Sequence, residues 1–412
     1  MRRAGSASTM SGVTSTAPIE PRRVVIVGGG VAGLEAALAL DHLAETQVSV
    51  TVIAPERVFT PRALDLARPS AGLQAAELDL GRFMAEHGGR FRRTAVLGVD
   101  AERRTLSCAT GPDEPYDTLV VAVGASARPA YEHALTFGAD FPACDELLAE
   151  LAHRGPLSVA FVVPKACTWP VPLYELALMT AGEARLPNSG ELRVHLVTPE
   201  RRALDLFGAR ASAADAELLR AARVGLHCGI DADVHPGGRV GIGPEETLAV
   251  DRVVALAHLV GPSLAGLPAD AHGFIPVDEY GRVTGVDAVY AAGDVTDHPI
   301  KHGGLASQQA DAVAAHIASS AGAPVEAVPY TPVLRGRLLT GLRGATRQAL
   351  WQPPAQVSGR YLGPYLEAHG LVPIPLRQSA RGEGIDVRLP LSWFARSVER
   401  RELLRDVPAA GA

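Results

Sequence analysis

Lysine is almost absent from this chain. Of its 39 basic residues, only Lys165 and Lys301 are lysines and the other 37 are arginines. A guanidinium does not replace a compact, titratable ammonium, so the two lysine positions carry information. Cysteine is scarce too. Cys108, Cys144, Cys167 and Cys228 form no close pair and no Cys-x-x-Cys, which excludes a disulfide scaffold and a Cys-rich zinc site. No apolar run reaches the ~18 residues that a membrane-crossing helix needs. With 45 acidic residues against 39 basic ones the net charge is −6, which excludes a chain-wide polyanion-binding surface, and nucleic acid is not expected as a partner.

Hydrophobic residues make up 47% of the 412, enough for two or three cored domains. Residues 1–20 are rich in Ser, Thr and Ala and lack the apolar stretch of a secretory signal. They read as a disordered tail, and residence is expected to be cytoplasmic. Residues 23–27 read as a buried strand, 31–43 as a helix and 48–53 as a second strand, a β-α-β unit of a parallel sheet. Residues 117–123 add a strand ending at Gly124. The pattern then restarts: strand 157–163, helix 173–181, and strands 192–197 and 250–259. A strand over 286–294 ends in Gly293-Asp294, and an Ala-rich helix covers 304–319. From about Pro324 the composition turns to Pro and Arg.

Gly28-Gly29-Gly30-Val31-Ala32-Gly33 is a GxGxxG directly between a strand and a helix. Glycine permits the tight turn and the close backbone approach, and the helix start offers free N–H groups and a partial positive charge to a pyrophosphate. Glu56, just beyond the second strand, is the candidate to hold an adenosine ribose.

Together with VVAVG at 120–124 and Tyr290-Ala291-Ala292-Gly293-Asp294, in that order, this motif resembles the FAD-dependent pyridine nucleotide-disulfide oxidoreductases over residues 22–320. The nearest branch is that of type II NADH dehydrogenases and sulfide:quinone reductases. The resemblance implies an α/β fold with two Rossmann-like dinucleotide-binding domains of the three-layer ββα type. The first, FAD-binding, would comprise 21–135 and 270–325, and the second, NAD(P)-type, 136–269. Residues 326–412 would form a C-terminal cap or interface. It further implies FAD held by Gly28, Gly30, Val31, Ala32, Gly33 and Glu56, by the Val96 backbone near the adenine, and by Gly124, Gly293, Asp294 and Leu305. Asp294 would accept from a ribityl hydroxyl. The helix that starts near Leu305 would turn its positive end to the flavin ring. Val123 stands where the family usually has Thr.

Two residues are catalytic candidates. Lys301, one of only two lysines, precedes that helix and reads either as a stabiliser of reduced flavin or as a solvated loop lysine. Cys167 is the counterpart of a sulfur-handling cysteine in sulfide:quinone reductases and flavocytochrome c sulfide dehydrogenases, with Lys165 as a thiolate stabiliser. The Cys167–Tyr174 spacing is two residues longer than in those enzymes, and no later cysteine follows Cys228. The plain alternative is a small buried residue. Cys144 sits near where another redox cysteine occurs in relatives. Residues 57–80 hold no cysteine, which excludes dithiol chemistry of the glutathione-reductase kind.

Where the second half would repeat its glycines it has Pro164-Lys165-Ala166-Cys167-Thr168-Trp169-Pro170-Val171-Pro172. Proline has no amide to donate, so NAD(P)H stays open as a second cofactor only through a degenerate site. Gln308 and Gln309 resemble a glutamine pair near quinone. Between Glu326 and Glu367 lie five arginines among leucines and no acid, a pattern that suits an anionic membrane surface or a solvated face. His298 and His302 lack a third metal ligand. The expected partners are a small-molecule electron donor and, as acceptor, a quinone or a redox protein. Two alternatives to a general flavin oxidoreductase stay open: a sulfide- or persulfide-oxidising enzyme, and an electron-transfer subunit acting through a protein partner.

Overall fold

A computed structural model describes residues 20–60, 77–138, 147, 157–183, 192–336, 359–368 and 385–388. Cys144 and most of the C-terminal arginines lie outside them. The helices used below are α1 (Val31–Ala44), α2 (Leu80–Glu86), α3 (Val171–Glu183), α4 (Ala209–Ala221), α5 (Gly303–Ser320) and α6 (Leu362–Ala368).

The chain folds twice into the same three layers. The first parallel sheet takes strands in the order Val289–Ala291, Thr118–Val121, Arg22–Val27, Val48–Ala54, Arg90–Arg93. Side chains alternate across a strand, and both faces are apolar here because both are covered. Val24 and Ile26 face a core built with α1 and α5. Val25 and Val27 face a second core with Val99 and Leu106 of the antiparallel strands Val96–Asp100 and Thr105–Cys108.

The second half repeats this. Its sheet runs Leu135–Phe137, Arg252–Leu256, Leu157–Val162, Leu192–Thr198, Gly225–Cys228. Val159 and Phe161 pack on α3 and α4, whereas Ala160 and Val162 pack on a layer holding Val240 and Ile242. The architecture is therefore α/β with two Rossmann-like halves. Three sequence expectations need correction. The 250–259 strand is two, Arg252–Leu256 and His258–Val260, and the second pairs with Ser126–Arg128 in another sheet. Strand 286–294 shrinks to Val289–Ala291 and 117–123 to Thr118–Val121, because the flanking residues are spent on turns at the ends of the sheet.

Beyond α5 the chain returns to α1. Glu35, fully buried in α1, accepts the backbone N–H groups of Tyr361 and Leu362, each at 2.7 Å. A Cβ on Gly359 would overlap its carboxylate. Asp311 of α5 hydrogen-bonds the same carboxyl group. Burial and the neighbouring Glu35 charge push Asp311 up to about 8, and burial raises Glu35 as well. Two carboxyls in contact cannot both ionise cheaply, so the pair holds a proton. Tyr365 completes the dock, reaching Glu86 at 2.9 Å and Phe83 edge-on.

Removing the acceptor from two buried amides costs about 3 kcal/mol or more. Glu35→Ala is therefore expected to lower the unfolding midpoint and to make 359–368 the first site of limited proteolysis; a chain cut no faster there contradicts the clamp. The raised carboxyl also fixes the sign of a pH effect. The folded state binds a proton that the unfolded chain has released, so stability falls as pH rises from the ordinary carboxylate range through about 8. Asp215, pushed up to about 7 by burial, adds to the same slope. Asp311→Asn, whose amide donates at every pH, is expected to flatten part of that slope in thermal melts, and an unchanged slope would remove the shared proton from the account.

Candidate flavin site

The site begins at the carboxyl end of the first sheet, the usual ligand crevice of doubly wound folds. Three residues, Gly28–Gly30, connect strand Arg22–Val27 to α1. Gly28 has φ +116°, and a Cβ there would overlap the carbonyl of Ala122 on the neighbouring strand end. A Cβ on Gly33 would overlap the Gly28 carbonyl, so α1 sits directly on the loop. Gly30 differs: nothing lies within 4 Å of where its Cβ would be. Its Cα faces open space above the α1 start, whose first amides have no acceptor within the helix.

The other wall is the Gly293 loop. Gly293 has φ +83°, and a Cβ there would sit 3.0 Å from the Ala32 Cβ and 3.4 Å from the Ala306 Cβ. The first turns of α1 and α5 thus converge on one residue without a side chain. Gln309 fixes this loop, its Oε1 accepting the Gly293 N–H at 2.7 Å and its Nε2 donating to Thr296 Oγ1 at 3.3 Å. Gln308 instead accepts the Val333 N–H at 2.8 Å and donates to the Gly304 and Val333 carbonyls, each at 2.9 Å. Both amides are engaged within the chain.

Asp294 follows, half-buried. Burial raises its carboxyl, and the Lys301 charge opposes that rise. Lys301 is not a solvated loop residue. It is 5% exposed, donates to the Thr296 carbonyl, and holds Nζ 3.6 Å from the centroid of the Phe274 ring. His302 caps α5 and is equally buried; burial pushes its imidazole down to about 4, so it is neutral at physiological pH. Its ring lies 4.4 Å from Trp169 of the second half. Both His302 nitrogens, Trp169 Nε1 and Ser307 Oγ are buried without a hydrogen-bond partner. Buried polar groups are normally paired, so such a cluster at a helix start fits a bound polar group.

These features fit FAD: an open cradle at Gly30 for a pyrophosphate, a carboxylate and a buried cation beside the Gly293 loop, and orphaned polar atoms at the α5 start. Gly33 lies against Gly28, Gly293 against Ala32 and Ala306, and Lys301 acts on Asp294, while Gly124 has open space about it on the adjoining strand end. Glu56 is exposed two residues past strand Val48–Ala54. Val96 starts the outer antiparallel layer, opposite Cys108. Leu305 belongs by its side chain to the core of the second half, and its N–H bonds the His302 carbonyl at 3.0 Å.

Cys167 is half-buried against that second core, and burial pushes its thiol up to about 12. Lys165 points elsewhere, pairing with Asp231 at 3.0 Å on the surface. Sequence reasoning missed a polar cluster in the second half. Tyr174, fully buried on α3, donates to Glu200 at 2.7 Å and accepts the Leu204 N–H at 3.2 Å. A signal was present: Pro-Glu-Arg occurs at 55–57 and again at 199–201, each time after the second strand of a half. Among the described residues no group of three His, Cys, Asp or Glu side chains could hold a metal, and no helix is long and apolar enough to cross a membrane.

Comparison with known proteins identifies the family and the fold. The chain is 31% identical over 299 residues to an NADH dehydrogenase-like protein of Mycobacterium tuberculosis, covering 66% of this chain and 72% of that protein. Its fold is similar to the sulfide:quinone oxidoreductase of Aquifex aeolicus, with TM-score 0.65 and 18% identity over 73% of this chain and 77% of that one. It is also similar to a ferredoxin reductase of Rhodopseudomonas palustris, with TM-score 0.58 and 19% identity over 78% and 80%. The family model of the pyridine nucleotide-disulphide oxidoreductases matches residues 19–159 and 175–312. The chain therefore belongs to the pyridine nucleotide-disulphide oxidoreductase family, whose members are FAD-dependent oxidoreductases.

Proposed function

We propose that this chain is an FAD-dependent oxidoreductase that takes electrons from a reduced donor and passes them to a quinone or a small redox protein. The observation that carries the reading is the convergence of the α1 and α5 starts on Gly293, beside the open face of Gly30. Two positive helix ends meet there, one suited to a pyrophosphate and one to charge on a reduced ring. When bound, FAD supplies the two-electron chemistry. The chain's residues bind and orient it. Gly28 to Gly33 offer backbone amides, Asp294 accepts a ribityl hydroxyl, Glu56 holds the adenosine ribose and the Val96 backbone meets the adenine. Lys301 keeps a buried positive charge next to Asp294 and favours the reduced, more negative state of the ring.

The acceptor class is drawn from the relatives, which include quinone- and ferredoxin-linked enzymes. A basic C-terminal region would bring such an enzyme to an anionic membrane surface from the cytoplasm. The sulfide-oxidising alternative has less support. A thiol held near 12, with Lys165 paired to Asp231, is a poor nucleophile, and Cys167 is better read as a packing residue.

The flavin is expected to co-purify with the protein. Gly30→Leu, which fills the cradle without touching the core, is expected to weaken FAD binding at least ~10-fold, or about 1.4 kcal/mol, while far-UV circular dichroism stays unchanged. A leucine variant that retains full flavin content would place the pyrophosphate elsewhere. Lys301→Met is expected to make the flavin reduction potential more negative by about 30 mV or more, ~1.4 kcal/mol for a two-electron couple. An unchanged potential would leave Lys301 a purely structural cation.

A further inference from the structure

We propose that the residues of the second Rossmann half do not fit a nicotinamide dinucleotide. This rests on the flavin reading above, and it separates this chain from the NAD(P)H-linked habit of its family.

The two halves can be compared feature by feature because they share the strand-helix-strand unit. In the first, three residues join strand Arg22–Val27 to α1. In the second, eight residues, 163–170, join strand Leu157–Val162 to α3. The longer loop is not slack. The Cys167 N–H bonds the Pro164 carbonyl at 3.2 Å, and Trp169 is buried against Phe207 and against His302 of the flavin half. Two residues before α3 the second half thus carries a buried indole, whereas the last residue before α1 is Gly30 with open space at its Cα.

Amide donors are fewer as well. A pyrophosphate on a helix start is held by its first N–H groups. Pro170 and Pro172 have none, and the Leu173 N–H is spent on the Pro170 carbonyl at 3.1 Å. The nearby cation, Lys165, is paired with Asp231. The ion pair leaves that cation committed on the surface, away from a dianion at the α3 start.

The adenosine end is filled from within. Glu56 and Glu200 occupy the same place in the two halves, two residues past Ala54 and Thr198. Glu56 is exposed, whereas Glu200 is bonded by the Tyr174 hydroxyl at 2.7 Å and by Thr198 Oγ1 at 3.2 Å. An acid at this position binds a ribose hydroxyl in a dinucleotide site; here a phenol of the same chain supplies the hydroxyl. Burial raises both the Glu200 carboxyl and the Tyr174 phenol; Tyr174 is fully buried and Glu200 half-buried. Tyr174 is the fourth residue of α3, where α1 has Leu34. The family match itself breaks over residues 160–174, the segment that carries the long loop and ends at this tyrosine.

The test uses the full-length yellow protein. Equilibrium dialysis against NADH and NADPH is expected to show no saturable binding up to ~1 mM. Anaerobic mixing with either is expected to leave the flavin absorbance unbleached, while dithionite bleaches it. Saturable uptake of either nucleotide below that concentration, or bleaching whose rate saturates with nucleotide, would overturn the proposal. Protein purified without flavin would overturn the flavin reading instead, and the dialysis result would still decide whether the second half takes a dinucleotide.

Discussion

The structure turns on one steric constraint: two helix starts, those of α1 and α5, must come within van der Waals reach of a single backbone position. Only a residue without a side chain, in a left-handed conformation, can occupy it, and Gly293 does. With that contact in place, α5 covers the same sheet face as α1 and the small-residue stripes of both helices interlock. The Gly293 loop then delivers Asp294 and Lys301 to the mouth of the crevice. A methyl group at Gly293 would strain its left-handed backbone and press on the Ala32 Cβ at 3.0 Å.

The sequence was most readable where local chemistry and global fold agree. Strand Arg22–Val27 is β-branched throughout its core because both of its faces are buried, and GxGxxG follows at once because the chain must turn between Val27 and Val31. The strand-helix-strand repeat in the second half was equally plain. The fates of single polar side chains were not. Lys301 and Gln309 lie in an ordinary-looking loop and helix, and their roles depend on Phe274, Thr296 and Gly293 meeting them in space. Gln308 and Gln309 looked like a pair with one job, yet a helix turns adjacent side chains by about 100°, so one faces the Gly293 loop and the other the 333–336 strand. Glu35 reads as one charge in an alanine-rich helix until the distant backbone that it binds is seen.

The two halves share a fold and differ around the start of their first helix. The sheet order, the helix that covers it and the Pro-Glu-Arg turn are common to both. What differs is a handful of residues: glycines against prolines, Leu34 against Tyr174, an open Cα against a buried indole. Leu34 lies in the core of its half and Tyr174 and Trp169 in the core of theirs, so these differences are bound up with the packing around them. The pair in the second half contributes a buried hydrogen bond where a ligand would otherwise have to be supplied.

Glu35 and Leu362 stand 327 residues apart in the chain and 2.7 Å apart in the fold. Contacts of such sequence separation form late, because the closure entropy of the whole intervening loop must be met first. During synthesis α1 emerges long before the amides that its carboxylate will bind. Until they arrive, Glu35 lacks the two amides that bind it in the complete fold, and the first half is left unfinished at its own first helix. The last described helix of the chain therefore acts as a closing bracket for the first, and it ties the maturation of the flavin half to the arrival of a segment made more than three hundred residues later.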